Sequence, residues 1–114
     1  MFTSGSLIRT CFTVNGEDFC VDTTIVLQKN GMFTFSTMFF RMEKDEVGFD
    51  ESFDELTALT FDEARQNHVR MVKRYTVPFH VTPNKDDLSG IDRVLKELKE
   101  FIRDGANKIL ADHT

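Results

Sequence analysis

Two Asn-Gly steps, Asn15-Gly16 and Asn30-Gly31, divide the first 42 residues into three runs of largely alternating apolar side chains. Asn-Gly between such runs is the strongest short-range signal for a β-hairpin, because both central residues of the tight turn need a positive φ. The sequence therefore predicts a three-stranded antiparallel meander over residues 1–42, with strands at about 7–14, 17–28 and 32–42.

The register of the first hairpin can be tested against the residues it brings together. A two-residue turn at Asn15-Gly16 places an aromatic pair, a cysteine pair and an opposite-charge pair directly across the two strands: Phe12–Phe19, Cys11–Cys20 and Arg9–Asp22. Aromatic and opposite-charge pairs at facing positions stabilise a sheet, which supports this register.

The same count about Asn30-Gly31 predicts Leu27 opposite Thr34 and Val21 opposite Phe40. Strand alternation then puts Met38, Phe40 and Met42 on the core face with the apolar residues of the first two strands. Phe33, Phe35 and Phe39 fall on the other face, among polar side chains. Three phenylalanines are more than an open face usually carries, so we expect the second helix or a second copy of the chain to cover them.

Two helices are predicted after the strands. The first spans 60–75 and begins with the capping box Thr60-x-x-Glu63. The second begins at Ser89 and spans 89–104, with a break favoured near Gly105 and a continuation to about residue 111 as the alternative. Strands followed by helices, in the order βββαα, indicate a single α+β domain over residues 1–114.

No catalytic, cofactor-binding or metal-binding residue is predicted. His68, His80 and His113 are too scattered for a zinc site. His68 lies on the apolar face of the first helix, where we expect a packed histidine bonded to a Thr hydroxyl or a carbonyl; the alternative is a general base or a ligand. Cys11 and Cys20 are expected to be thiols, with a strained, redox-responsive bridge as the alternative.

The segment 43–58 is predicted to be an acidic loop. Its first thirteen residues hold seven acids and one lysine, a net charge of −6 in a chain whose total is −5. One interpretation is a solvated loop that keeps the chain in solution. The other is a contact surface for a basic partner, with two phenylalanines as anchors among four acids: Phe49, Asp50, Glu51, Phe53, Asp54 and Glu55.

The overall charge also bears on function. Fourteen Lys and Arg against nineteen Asp and Glu argue against a general nucleic-acid binder, including one using Arg65, Arg70, Lys73 and Arg74 of the first helix. No run approaches the roughly 20 apolar residues of a membrane helix, and the first residues do not have the pattern of a signal peptide. We therefore expect no membrane association.

Three segments resemble a widespread family of small bacteriophage proteins. Residues 21–27 and 35–40, VDTTIVL and FSTMFF, resemble that family's STVWL and FETMVF strands, and residues 58–72 resemble its yaTweEAlaGHeamV helix. The matching positions are Thr37, Met38, Thr60, Glu63, Ala64, His68 and Val72. Ser36 and Asn67 depart from the family's Glu and Gly, and a tight Asn-Gly turn replaces its longer loop.

The family is functionally uncharacterised, so the resemblance implies a phage or prophage origin and no activity. By analogy with small acidic phage proteins, we expect a non-enzymatic accessory protein that binds a host or phage protein in the host cytoplasm. The alternative is a structural homodimer whose interface is the face containing Phe33, Phe35 and Phe39.

Overall fold

The computed structural model describes residues 4–43 and 46–112 of the 114-residue chain, with side chains for 5–42 and 52–100. Within these residues the chain forms one antiparallel sheet in the order β1-β2-β3-β4, followed by two α-helices and, between them, a single 3-10 turn at Val77–Phe79. The α+β class is confirmed, but the sheet has four strands where three were predicted. The elements are β1 Ser4–Val14, β2 Glu17–Leu27, β3 Phe33–Glu43, β4 Glu46–Ala58, α1 Phe61–Thr76 and α2 Ser89–Asp112.

The first hairpin has the predicted turn and register. Asn15 and Gly16 both have positive φ, 51° and 80°, as a two-residue turn of this type requires. The three predicted pairs face each other across β1 and β2: Phe12–Phe19, Cys11–Cys20 and Arg9–Asp22.

The second hairpin has a different turn, and the predicted register is wrong by one residue. Gly31 has a φ of 81° while Asn30 does not have a positive φ, and the Gln28 N–H donates to the Met32 carbonyl at 2.8 Å. The loop is therefore three residues long and ends in a left-handed glycine, the second common hairpin geometry. Phe33 consequently lies opposite Leu27, and Phe39 opposite Val21.

This shift moves every β3 side chain to the opposite face of the sheet. Phe33 and Phe35 pack beside a buried cluster of Leu7, Ile8, Ile25 and Val94, and Phe39 joins a second cluster of Phe12, Val21 and Met71. All three lie on the helix-covered core face, so their assignment to the face opposite the core is wrong. The expectation that the second helix covers this group is confirmed for Phe33 and Phe35, which pack against the cluster that contains Val94 of α2. Met38, Phe40 and Met42 lie on the face away from the helices. The reason for a dimer interface at Phe33, Phe35 and Phe39 no longer holds.

Most of the segment 43–58, predicted as an acidic loop, is the edge strand β4 at Glu46–Ala58, while Glu43 ends β3 and residues 44–45 lie outside the described structure. The strand β4 pairs antiparallel with β3, with Asp54 opposite Phe39 and Glu55 opposite Met38, and the ladder shifts register on either side of Phe40. Charged side chains and bulges are common on edge strands, where they discourage pairing with a further strand. The high content of acidic residues favours a loop in the sequence, because it hides the alternating pattern of the apolar residues that face the helices in β4.

Both helices cover the same face of the sheet. α1 begins where predicted, since the Thr60 Oγ1 accepts a hydrogen bond from the Glu63 backbone N–H at 3.2 Å. α2 packs through Ile91, Val94 and Leu98 and runs to Asp112, so the predicted break near Gly105 is wrong and the continuous alternative holds. One glycine costs only about 1 kcal/mol in a helix, which the long flanking helical sequence tolerates.

The segment between the helices closes the outer edge of β1. The Arg9 N–H donates to the Asp87 carbonyl at 3.0 Å, the Asp87 N–H donates to the Arg9 carbonyl at 2.7 Å, and the Asn84 N–H donates to the Cys11 carbonyl at 2.8 Å. In the part of the chain that the structure describes, neither helix is both long enough and apolar enough to cross a bilayer.

Candidate functional site

An aromatic groove lies at one end of the helix-covered face. Its volume is about 420 Å³, and its walls are almost entirely carbon. Val14, Glu17 and Arg41 complete its edge. The name aromatic groove is used below for the site lined by six aromatic side chains: Phe12, Phe19, Phe39, Phe53, Tyr75 and Phe79.

The floor of the groove is a stack of closely packed rings. Tyr75, in the last turn of α1, lies on Phe39 with ring centroids 3.9 Å apart and planes 5° apart. Phe19 and Phe12 lie beside Phe39 at 5.3 and 6.0 Å, with planes 21° and 7° from it. The register of both hairpins places these three phenylalanines together, and α1 adds the tyrosine. The floor therefore needs no rearrangement to receive a ligand.

Two exposed phenylalanines stand at the sides of this floor. Phe53 is 57% exposed and lies where β4 bulges against β3, with its ring centroid 5.8 Å from that of Phe39. Phe79 is 53% exposed and ends the 3-10 turn after α1. That turn is closed by the His80 N–H, which donates to the Val77 carbonyl at 3.1 Å, and His80 has a positive φ of 54°. Both rings are positioned by backbone features and remain available for contact.

The charges at the rim are already paired within the chain. The Asp54 Oδ2 accepts hydrogen bonds from Arg74 at 2.7 Å and from the Tyr75 hydroxyl at 2.9 Å, and its Oδ1 accepts the Glu55 backbone N–H at 2.9 Å. Partial burial acts to raise the pKa of Asp54, but these hydrogen bonds outweigh it and hold that pKa below its ordinary value. A terminal guanidinium nitrogen of Arg41 lies 3.4 Å from the Glu17 Oε1. The charges of Asp54 and Arg74 therefore balance each other, as do those of Glu17 and Arg41, and the groove between them is apolar.

The predicted contact residues divide between several locations. Phe53 lines the groove, and Asp54 accepts a hydrogen bond from the hydroxyl of the groove residue Tyr75. Glu55 lies on the opposite face, where the Ser36 hydroxyl donates to its carboxylate at 3.0 Å. Phe49, Asp50 and Glu51 lie in β4, but their side chains are outside the described part of the structure. Of the predicted dimer face, Phe39 is in the groove, while Phe33 and Phe35 pack against the buried cluster of Leu7, Ile8, Ile25 and Val94.

Tyr75 and Phe79 are site residues that the sequence pattern does not predict. Tyr75 was assigned to the apolar stripe of α1, and nothing in the sequence Tyr-Thr-Val-Pro-Phe shows that a 3-10 turn would bring Phe79 back to the same groove. The part of the floor that the sequence does indicate is the pair Phe12 and Phe19, which the predicted register places opposite each other.

His68 is the centre of a buried hydrogen-bond network. It is 2% exposed, with Thr10, Thr23 and Thr37 equally enclosed. Its Nε2 lies 2.8 Å from the Thr10 Oγ1, its Nδ1 lies 2.8 Å from the Thr23 Oγ1, and Thr23 lies 2.7 Å from the Thr37 hydroxyl. The expectation of a packed histidine bonded to a threonine hydroxyl is confirmed.

The direction of these hydrogen bonds follows from Asp86. A carboxylate only accepts, so the Thr10 hydroxyl donates to the Asp86 Oδ1 at 2.6 Å and must accept from the His68 Nε2–H. In the neutral ring the Nδ1 then accepts from Thr23, which in turn accepts from Thr37. Burial lowers the pKa of His68, against the charges of Asp86 and Asp22, which act to raise it. The histidine therefore connects α1 to three strands and to the segment before α2.

The two cysteines are thiols, as expected. They face each other across β1 and β2, and Cys20 is fully buried. Burial, followed by the proximity of Cys11, raises the pKa of Cys20 to about 12, and burial also raises the pKa of Cys11. Thiols with raised pKa values stay protonated near neutral pH and are poor nucleophiles.

Among the described residues, no group of three or more His, Cys, Asp and Glu side chains is arranged to hold a metal ion. Comparison of the chain with protein-family models, with curated proteins and with solved structures found no match.

Proposed function

We propose that this chain is a small phage-encoded accessory protein that acts without catalysis, by binding a host or phage protein through the aromatic groove. The observation that supports this function is the pair of exposed rings, Phe53 and Phe79, at the sides of an aromatic floor that is already assembled. Exposed aromatic side chains around a rigid apolar depression are typical of the residues that dominate protein–protein interfaces.

The energetics favour an occupied groove. Fully burying one large apolar side chain contributes about 1.5–3 kcal/mol. Phe53 and Phe79 are each about half exposed, so covering the remaining surface of both would contribute roughly 1.5–3 kcal/mol in total. The stacked floor loses little conformational entropy on binding, because Phe39 and Tyr75 are already held against each other. A partner with complementary apolar side chains would gain most of this free energy.

The phage origin and the host cytoplasm as the place of action rest on the resemblance of residues 21–40 and 58–72 to the phage family described above. The non-enzymatic character is supported by the state of the reactive groups. His68 is enclosed by threonines, and both thiols have raised pKa values, which leaves these groups poorly suited to attack a substrate.

An affinity capture experiment with three variants tests the proposal. The wild-type chain, the double variant Phe53→Ser/Phe79→Ser and the control Leu59→Ser are used as baits in a lysate of the bacterial host. Leu59 is 71% exposed and lies outside the groove, so its replacement removes a comparable exposed apolar side chain. We expect a stoichiometric partner with the wild type and the control, and its loss with the double variant.

Far-UV circular dichroism and urea unfolding accompany the capture, to show that all three baits are folded. A partner held equally well by Phe53→Ser/Phe79→Ser would contradict the role of the groove. A chain that captures only itself, and sediments as a dimer, would replace the proposed partner with a second copy.

A further inference from the structure

We infer that the outer face of α1 is a second binding surface, which takes an acidic segment of a protein partner. This surface, called the basic stripe below, is formed by Arg65, Gln66, Val69, Arg70 and Lys73. It shares no residue with the aromatic groove, so the inference does not depend on the function proposed for the groove.

Helix spacing brings these five exposed side chains together. Arg65, Val69 and Lys73 follow one another at intervals of four residues, and Gln66 and Arg70 lie beside them at the same interval. At 1.5 Å per residue the stripe runs for about 12 Å along α1. Its side chains line an open depression of about 490 Å³, while other residues of α1 are buried.

The positive charge of the stripe is not balanced within the described structure. Residues 64–74 contain four cations and no acid, and the acids of α1 are confined to its first turn. Arg74 is paired with a carboxylate of β4. Arg65, Arg70 and Lys73 take part in none of the hydrogen bonds and ion pairs found among the described side chains. Their charge is therefore free to attract an anionic partner.

The exposed cations of α2 differ in this respect. Over residues 92–100 three cations are interspersed with three acids. Opposite charges four residues apart are neighbours on a helix, as are Asp92 and Lys96 or Arg93 and Glu97. This part of α2 is therefore close to neutral, and the unbalanced charge is a property of α1.

The composition of the stripe favours an acidic protein segment over a nucleic acid. Val69, in the middle of the stripe, is 47% exposed and offers a contact to an apolar side chain, which a phosphate backbone does not have. The five residues include no aromatic ring on which a base could stack. The net charge of −5 also opposes a long polyanion. Carboxylates beside one large apolar residue complement both the cations and Val69.

The experiment compares two full-length variants that each lose three positive charges from one helix. The stripe variant and its control are Arg65→Gln/Arg70→Gln/Lys73→Gln and Arg93→Gln/Lys96→Gln/Lys99→Gln. The immobilised wild type selects from a displayed library of random peptides, and the enriched peptides are measured against both variants and against Phe53→Ser/Phe79→Ser. Circular dichroism and urea unfolding show that every variant is folded.

We expect one class of enriched peptides to be rich in Asp and Glu and to contain a large apolar residue. A synthetic copy should bind the stripe variant about 10-fold more weakly than the wild type, because three charge pairs are lost. The α2 control and Phe53→Ser/Phe79→Ser should bind it as the wild type does. Val69→Ser should weaken binding about threefold, and added salt should weaken it in the wild type.

The outcomes separate the stripe from the groove and the acidic segment from other occupants. No acidic peptides, or peptides that bind the stripe variant as well as the wild type, would overturn the inference and leave the groove untouched. Stripe-dependent binding of an oligothymidylate of about 16 nucleotides, tighter than that of the peptide, would replace the protein segment with a nucleic acid. A wild type that sediments as an oligomer, with a monomeric stripe variant, would replace it with a second copy of the chain.

Discussion

The hydrogen bonds around His68 and Asp54 show how single polar side chains join elements that are far apart in the chain. His68 connects α1 to Thr10 and Thr23, and through Thr10 to Asp86 in the segment before α2. Asp54 connects β4 to the end of α1 through Arg74 and Tyr75. Each side chain stabilises the fold in one protonation state, so the stability of the protein depends on pH.

We expect the free energy of unfolding to fall as the pH decreases below about 6.5. The pKa of His68 in the folded protein is lower than its ordinary value of 6.5, so the unfolded chain takes up a proton first. The loss begins near the unfolded pKa, proceeds at no more than about 1.4 kcal/mol per pH unit, and ends below the folded pKa.

Urea unfolding at several pH values between 7.5 and 5 would measure this dependence. The variant His68→Gln should be less stable at pH 7.5, because it loses part of the network, but should show a flatter pH profile. An unchanged slope in His68→Gln would assign the dependence to other groups. Nitrogen NMR shifts of the ring would also show the Nε2–H tautomer that Asp86 requires.

A second prediction at this scale concerns the thiols. Because Cys20 is buried and its pKa is raised to about 12, we expect it to resist Ellman's reagent at pH 8 until the chain unfolds. Cys11 is partly exposed and should react alone and slowly. In the variant Cys11→Ser only Cys20 can react with the reagent. Rapid labelling of Cys20 in that variant would contradict its buried position.

At the scale of elements, a turn decided which face of β3 is buried. Asn15-Gly16 and Asn30-Gly31 are identical dipeptides between similar runs, yet the first forms a two-residue turn and the second belongs to a three-residue loop. A difference of one residue in loop length moves Phe33, Phe35 and Phe39 from one face to the other. The two turns differ in length, in the φ of their asparagines and in the Gln28 N–H to Met32 carbonyl hydrogen bond that closes the second loop, and none of these differences is visible in the shared dipeptide.

The contact between α2 and β1 leads to a prediction at Gly90. Alanine at this first-turn position should favour the helix by its intrinsic propensity. However, a Cβ at Gly90 would collide with the carbonyl oxygen of Ser6 in β1. We expect Gly90→Ala to destabilise the protein by about 1–3 kcal/mol, because the helix must move off the strand.

Urea unfolding compares this variant with Arg93→Ala, which removes an exposed side chain in the same turn and should change stability by less than about 0.5 kcal/mol. Gly31→Ala provides a second comparison. Nothing lies near a Cβ there, so its expected cost of about 1 kcal/mol comes only from the positive φ. A stabilising Gly90→Ala would mean that α2 does not lie against Ser6.

At the scale of the whole molecule, the acidity and the apolar surface meet along β4. The segment 43–55 carries a net charge of −6, and the rest of the chain carries +1. The aromatic groove lies beside this strand, and its own rim charges are balanced. In the proposed complex, charge and apolar contact have separate roles: the acids of β4 attract the partner over a distance, and the aromatic rings hold it once it has bound.

We expect neutralisation of the acids to affect association more than dissociation. The variant Asp50→Asn/Glu51→Gln/Glu55→Gln should bind the captured partner with a lower association rate and a weaker dependence on salt, while its dissociation rate stays nearly constant. Surface plasmon resonance at low and high salt measures all three quantities. If the triple variant associates as fast as the wild type at low salt, the acids of β4 have no electrostatic role in binding.

Asp54→Asn serves as the matched comparison, because it removes one acid of the same strand that is bonded internally. Its carboxylate holds Arg74, Tyr75 and the Glu55 N–H, so this variant should lower the urea midpoint of unfolding and disturb the groove. A fully stable Asp54→Asn would show that these hydrogen bonds contribute little.

The sequence by itself determined the features that depend on neighbouring residues: the first hairpin and its pairs, the cap at Thr60 and the α+β class. Only the tertiary structure decided the length of the second turn, the pairing of the acidic segment as β4, the continuity of α2 through Gly105 and the meeting of Phe53, Tyr75 and Phe79. The physical reason is that a cap or a two-residue turn is stabilised by atoms a few residues apart. A strand's face, an edge strand's pairing and a groove depend instead on the burial of side chains distant in the chain, and local patterns do not encode which of them will meet.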